Sequence, residues 1–277
     1  MREAEPARDD SLEIRLLLEA VYEAYHYDFR SYAPASLKRR LGQALGRLGC
    51  RTISGMQERI LHDPSAFPVL LQYLTVPVSE MFRDPTFYLA LRQQVIPRLR
   101  TYPSLKIWIA GCSTGEEVYS FAILLQEEGL LDRTLIYATD INAESLRKAK
   151  AGVFELDRIR QFTENHRRAG GLGSLSAHYT AAHGAALFDK ALRRNVVFSD
   201  HSLATDSVFA EVQLVSCRNV LIYFNKELQE RAVGLFKDAL SHKGFLGLGS
   251  KESLHFSRHA PAFTEVDREA RLYQKNA

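Results

Sequence analysis

Two adjacent carboxylates, Glu116 and Glu117, follow the loop Gly111-Cys-Ser-Thr-Gly115, and a third, Asp140, closes the apolar run Thr134-Leu-Ile-Tyr-Ala-Thr-Asp140. Carboxylates in the first turn of a helix repel phosphate and suit a cation, whereas phosphate sites present bare backbone N–H groups there. The glycines agree, because a pyrophosphate loop needs G-x-G-x-x-G and only Gly111 and Gly115 occur here. An acid ending the second strand of such a unit is placed to accept both ribose hydroxyls of a nucleoside. The combined demand is for a nucleoside with a positive charge and no phosphate. Acidic first-turn residues also complement the helix dipole, so Glu116 and Glu117 alone leave both readings open.

S-adenosylmethionine (SAM), with its sulfonium, ammonium and ribose, meets that demand. The elements that must position these groups are legible in the pattern. Ile107 to Ala110 is an apolar run of strand length, the small-residue loop leaves backbone open to a ligand, and a helix is predicted over Val118 to Glu128. Asn142 caps a helix through Lys150 after the second strand. Further strands are predicted at Asn195 to Ser199, Val212 to Cys217, Gly244 to Gly249, Phe263 to Val266 and Arg271 to Lys275, with a helix from Asn225 or Lys226 to near Leu240. This is an α/β pattern with a mostly parallel sheet. Residues 11 to 75 show helical spacing and little strand signal, so a small helical domain comes first. We place the helical domain and a linker helix in residues 1–100 and the sheet domain in 101–277; 151–194 is its least readable stretch, where His178 to His183 fits a short hairpin arm.

Composition narrows the classes. At 277 residues and 46% hydrophobic content the chain can bury a sizeable core. Its net charge of +3 is too mild to argue for nucleic acid. No apolar run reaches the length of about eighteen residues that a membrane span needs, and the polar start MREAEPARDD lacks a signal core, so a cytoplasmic protein without membrane insertion is expected. Cys50, Cys112 and Cys217 are far apart and no His cluster has ligand spacing, so neither disulfide nor metal is implied. Between Arg30 and Arg51 six basic residues occur without an acid; on a helix Arg40, Arg47 and Arg51 share a face beside the stripe Leu37, Leu41, Leu45 and Leu48.

Five motifs carry a family resemblance: Ser79-Glu-Met-Phe-Arg-Asp-Pro85, Ser113-Thr-Gly-Glu-Glu117, Ala138-Thr-Asp-Ile141, Cys217-Arg-Asn-Val-Leu-Ile-Tyr-Phe224 and Gly249-Ser-Lys-Glu-Ser253. In this order they resemble the CheR-type chemoreceptor glutamate O-methyltransferases, over nearly the whole chain. The resemblance implies a small N-terminal helical domain followed by a Rossmann-like SAM-dependent methyltransferase domain with a small β insertion at 151–194. It implies Glu117 on the methionine ammonium, Asp140 on the ribose, and Ser202, Leu203, Arg218 and Asn219 around the adenine or loop backbone. Ser79 and Arg83 are implied to contact SAM or to face the acceptor. Ser202 stands where relatives carry Asn, and a hydroxyl lacks the amide's paired donor and acceptor. Met81 and Phe82 are expected in the core and His201 in a loop.

The implied reaction transfers a methyl group from the sulfonium to a carboxylate, leaving S-adenosylhomocysteine (SAH). A carboxylate is already ionised at neutral pH, so no general base is required. Arg83 is the implied partner of the acceptor carboxylate and Tyr223 a hydrogen-bonding one. The implied partner is the cytoplasmic domain of a chemoreceptor, met by a monomer. A non-catalytic SAM-binding signalling module, or a methyltransferase on another acceptor, is the alternative.

Overall fold

Apolar residues recur at helical spacing in the first quarter of the chain, and four helices form there: α1 (Ser11–Tyr25), α2 (Pro34–Leu48), α3 (Ile53–His62) and α4 (Ala66–Thr75). The computed structural model describes residues 10–276. Its compact units divide after Val76, with residues 223–228 joining the first unit and the remainder forming the second.

In the first unit, α2 starts with Pro34 at a first-turn position and ends where Gly49 takes φ 64, its N–H bonded to the carbonyls of Gly46 and Leu45. The buried stripe of α2 is Leu37, Arg40, Leu41, Ala44 and Leu48. Arg40 therefore does not belong to an exposed basic face, as its charge suggested; it lies three residues after Leu37, on the core side, at 2% exposure. Arg51 follows the end of the helix and shares no helical face with Arg47, which is exposed. The Arg40 guanidinium donates to the Leu74 carbonyl at 2.5 Å and stacks 4.1 Å from the Tyr223 ring centroid. Burial lowers its pKa, and its Nε and Nη2 have no partner. Replacing Arg40 by Glu is expected to destabilise the unit by about 3–5 kcal/mol, because an unpaired acid replaces a partly satisfied cation. Thermal unfolding followed by circular dichroism checks it; an unchanged midpoint would mean that the side chain can turn out to solvent.

The second unit opens with α5 (Pro85–Ala90), a π turn over Leu91–Val95 and α6 (Ile96–Leu99). Pro97 has no N–H to give, and the helix widens immediately before it. Phe87, Tyr88, Leu91 and Leu99 are buried in one cluster with Leu105, Ile107 and Phe121, so this helical stretch packs with the sheet, and the units divide at residue 76 rather than 100. Then come β1 (Leu105–Ala110), α7 (Glu116–Glu127), β2 (Thr134–Asp140), α8 (Ala143–Ala151), β3 (Val153–Glu155), α9 (Ile159–Arg168), β4 (Tyr179–Ala182), β5 (Ala185–Phe188), β6 (Val196–Asp200) and β7 (Val212–Cys217). The chain continues through α10 (Lys226–Ala239), β8 (Leu240–Leu248), β9 (Phe263–Asp267) and β10 (Leu272–Lys275).

Seven strands form one sheet in the order β6-β2-β1-β7-β8-β10-β9. The first five are parallel and the last two pair antiparallel. Central strands β1 and β7 are each buried at all but one position, Lys106 and Gln213, which is why they read as apolar runs rather than alternating ones. β3, β5 and β4 make the small antiparallel insertion, where His183 (φ 51) and Gly184 (φ 75) turn the β4–β5 hairpin. Among the described residues no helix is long and apolar enough to cross a membrane.

Candidate functional site

From β1 the chain builds the sheet one way through β2 and β6, and from β7 the other way through β8. A crevice opens at such a reversal beyond the carboxyl ends of the strands. At these ends lie Glu117 in the first turn of α7, Asp140 as the last residue of β2 and Arg218 directly after β7. These are three of the residues singled out by sequence, brought from positions far apart in the chain.

The two loop glycines serve packing rather than ligand approach. A Cβ on Gly111 would lie 2.5 Å from Val220, and one on Gly115 would lie 2.8 Å from Ala149, while both residues need positive φ (75 and 98). The expectation of an open loop backbone fails at both glycines, and between them the Cys112 N–H is taken by the Thr139 carbonyl and the Ser113 N–H by Asp140.

Glu116 and Glu117 part company. The Glu116 side chain is buried, bonded to Arg158 Nη1 at 2.8 Å and to the Thr114 hydroxyl at 2.6 Å. Its charge is spent within the fold. Glu117 accepts from the Ser216 hydroxyl at 2.6 Å and from Arg218 Nη1 at 3.3 Å. Arg218 Nη2 also reaches Asp84 Oδ2 at 3.0 Å and the Arg83 carbonyl at 2.7 Å, and its guanidinium lies 4.1 Å from the centroid of Phe87. Burial pulls the Arg218 pKa down, but Glu117, Tyr88, Asp84 and Glu252 outweigh it and the net shift is upward. Two carboxylates, Glu117 and Asp84, thus share one cation, leaving one negative charge within this group uncompensated.

Arg83 is half-buried, and its guanidinium has no ion-pair partner among the described residues. Its neighbours Phe82 and Asp84 both have positive φ (50 and 54). Met81 and Phe82 are core, as expected. The Ser79 carbonyl accepts from Arg158, which ties the start of this segment to the partner of Glu116.

Asp140 accepts the Ser113 N–H at 2.8 Å and the Asn142 N–H at 2.9 Å. Burial raises its carboxyl above the usual 3.8, against the pull of the Asn142, Ser113 and Ile141 amides, and the charge of Asp200 adds to the rise. Ser202 donates its N–H to Asp206 at 2.9 Å and its hydroxyl accepts from Ala204 at 3.3 Å; Leu203 is buried. His201 lies in a loop, as expected, and is buried there, edge-on to Trp108 and Phe209.

Asn219 takes φ 60, and its N–H donates to Glu252 at 2.9 Å. Glu252 also accepts the N–H groups of Gly249 at 2.7 Å and Ile222 at 3.2 Å. This glutamate stands in the motif Gly249-Ser-Lys-Glu-Ser253, where nothing in the sequence assigns it a role. No periodicity marks it, because its partners are backbone amides 30 or more residues away in sequence as well as in its own turn. Tyr223 belongs to the first unit, where its carbonyl accepts the Ala33 N–H at 2.9 Å and its ring faces Arg40.

Comparison with known families places residues 12–75 in the CheR methyltransferase all-alpha domain and residues 77–270 in the CheR methyltransferase SAM binding domain. The chain belongs to the CheR methyltransferase family. It is 60% identical, over 97% of its length and 98% of the relative's, to a Pseudomonas putida protein named as methyltransferase Cher3. It is 29% identical to a chemotaxis protein methyltransferase of Listeria innocua (82% of this chain, 84% of the relative), and 29% identical to chemotaxis protein methyltransferase 2 of Pseudomonas aeruginosa (79% of each). As a CheR methyltransferase the protein uses SAM. The donor set suits that cofactor: the Glu117, Asp84 and Arg218 group has a negative charge to spare for an ammonium, and Asp140 offers lone pairs beyond those taken by backbone amides.

Proposed function

We propose that this CheR methyltransferase forms methyl esters on glutamates of the cytoplasmic domain of a chemoreceptor. The observation that carries the reading is the guanidinium of Arg83, a cation without an ion-pair partner among the described residues, in a segment fixed to the cofactor-side carboxylate by Arg218. Relatives named as chemotaxis protein methyltransferases support the acceptor class.

In this reading Glu117 receives the ammonium of SAM, Asp140 accepts from the ribose hydroxyls, and the Ser202-Leu203 and Arg218-Asn219 segments border the adenine and the loop backbone, with Ser79 contacting SAM or facing the acceptor. SAM when bound supplies an electrophilic methyl on a sulfonium. The protein's part is to align an already ionised acceptor oxygen and to replace the water that it loses. Arg83 does this with two parallel N–H donors matched to a carboxylate.

Because the ribose favours ionised Asp140 while burial favours the protonated form, SAH affinity is expected to fall in acid from a pH above 3.8. The sign for folding is opposite: this group's contribution to stability is full below 3.8 and is lost as pH rises through its raised folded value. Asp140→Ala removes bonds to a charged acceptor, worth about 1.5–3 kcal/mol, roughly 10- to 150-fold in affinity. Calorimetric titration of both proteins with SAH decides it, and equal affinities would remove Asp140 from the cofactor site.

The acceptor itself is tested by incubating the protein with methyl-labelled SAM and membranes that contain chemoreceptors. Label should enter the receptor as an alkali-labile ester released as methanol. Alkali-stable label, or label confined to another acceptor, would overturn the glutamate assignment.

A further inference from the structure

Arg218 sits between the two halves of the proposed chemistry. Its side chain is 1% exposed, and its terminal nitrogens point at Glu117 on one side and at the Arg83 carbonyl and Asp84 on the other. A buried arginine costs desolvation unless its neighbours return it, and a lone ion pair with Glu117 would not need the second set of contacts. That second set holds a segment with unusual backbone. Phe82 and Asp84, on either side of Arg83, both occupy the left-handed region, which costs non-glycine residues energy and persists only where surrounding bonds over-determine it. Two tethers do so. The Phe82 N–H donates to the Ser120 hydroxyl at 2.8 Å, which in turn donates to the Glu116 carbonyl at 2.7 Å, and Arg218 takes the Arg83 carbonyl at 2.7 Å. One tether thus comes from helix α7 and the other from the end of β7, the two elements that also set Glu117.

We propose that Arg218 is a positioning residue for methyl transfer: without touching cofactor or acceptor through its guanidinium, it fixes the Arg83 turn to the carboxylate that receives the SAM ammonium. The inference rests on the reading that Arg83 meets the acceptor. The fork geometry is essential, because three acceptors in different directions require a planar guanidinium. Lysine in its place would keep a charge beside Glu117 but could not bridge to the Arg83 carbonyl and Asp84.

A double-mutant cycle tests the proposal, with full-length protein, a chemoreceptor cytoplasmic fragment as acceptor, and SAH affinity measured in parallel. Arg218→Lys is expected to lower kcat/KM for the fragment at least about tenfold, since misplacing a group by about 1 Å can cost on the order of 100-fold. SAH affinity should change by less, no more than about fivefold, because Glu117 keeps a cation. In an Arg83→Ala background the same change should cost less than about twofold, the scatter of independent substitutions, because the group that Arg218 orients is gone. Equal costs in the two backgrounds would overturn the proposal, as would a loss confined to SAH affinity, which would make Arg218 a direct cofactor group. If Arg218→Lys fails to fold, Asp84→Asn enters the same cycle with methyl transfer read at saturating SAM, since it removes one of the charges that hold the fork and also the spare negative charge of the group, so that only its coupling to Arg83→Ala is compared and additivity overturns the proposal. Arg83→Ala measured alone keeps the two ideas separable: methyl transfer at the parental rate in that variant would sink the role of Arg83 itself, whereas additivity sinks only the role of Arg218.

Discussion

Arg83→Ala is expected to lower kcat/KM for receptor methylation about 100-fold, the magnitude typical of removing one preorganised donor from a reacting centre. The reason is the balance of desolvation. A glutamate on the acceptor must shed water to approach the methyl group, and an unpaired carboxylate in a partly dry site is costly. The half-buried, unpaired guanidinium of Arg83 replaces that water with two directed N–H donors. SAH affinity should fall by at most about fivefold, the range of a partly exposed ion pair. Arg83→Lys should recover only part of the rate, because a point charge does not reproduce the fork. Single-turnover rates with saturating SAM make the comparison, and equal loss of rate and cofactor affinity would show that Arg83 belongs to the cofactor instead.

Glu252→Ala should produce the largest loss of stability in the second unit, about 3 kcal/mol, or a fall in midpoint of roughly 6–12 °C for a unit of this size. The variant leaves the N–H groups of Gly249, Asn219 and Ile222 without their acceptor in a site where the carboxylate is 4% exposed. Gly249 offers no room for rearrangement, since a Cβ there would lie 2.7 Å from the Asn219 nitrogen. Burial raises the Glu252 carboxyl above the usual 4.5 despite those amides, so its contribution to stability is full below 4.5 and declines as pH rises through the folded value. Glu252→Gln should therefore be milder than Ala, keeping one acceptor oxygen and carrying no buried charge. Scanning calorimetry of the three proteins across pH tests both statements; an Ala variant as stable as the parent would mean that water reaches all three amides.

What the sequence alone determined follows from local rules. Apolar runs fixed β2 at Thr134–Asp140 and β7 at Val212–Cys217, where the strands end in fact, because inner strands of a covered sheet are mostly apolar and the charged residues Asp140 and Arg218 mark where they reach its edge. Asn142 announced helix α8, and its side chain does accept from Glu144 and Ser145, since capping needs only the residue and the next turn. The ordered motifs were enough to indicate the family and its SAM-binding fold. The tertiary structure decided what depends on partners distant in sequence. Glu116 and Glu117 are identical residues side by side, yet Arg158 neutralises one and Ser216 and Arg218 receive the other, because helical geometry turns successive side chains by about 100° toward different neighbours. Arg40 looked like surface by its charge and proved to be core, since the helix places it in line with Leu37 and Ala44 whatever its type. Gly111 and Gly115 read as room for a ligand, but Val220 and Ala149 fill that room. Residue type and spacing set each element and its ends; which side chain meets which was settled only when parallel strands brought the ends of β1, β2 and β7 to one edge of the sheet.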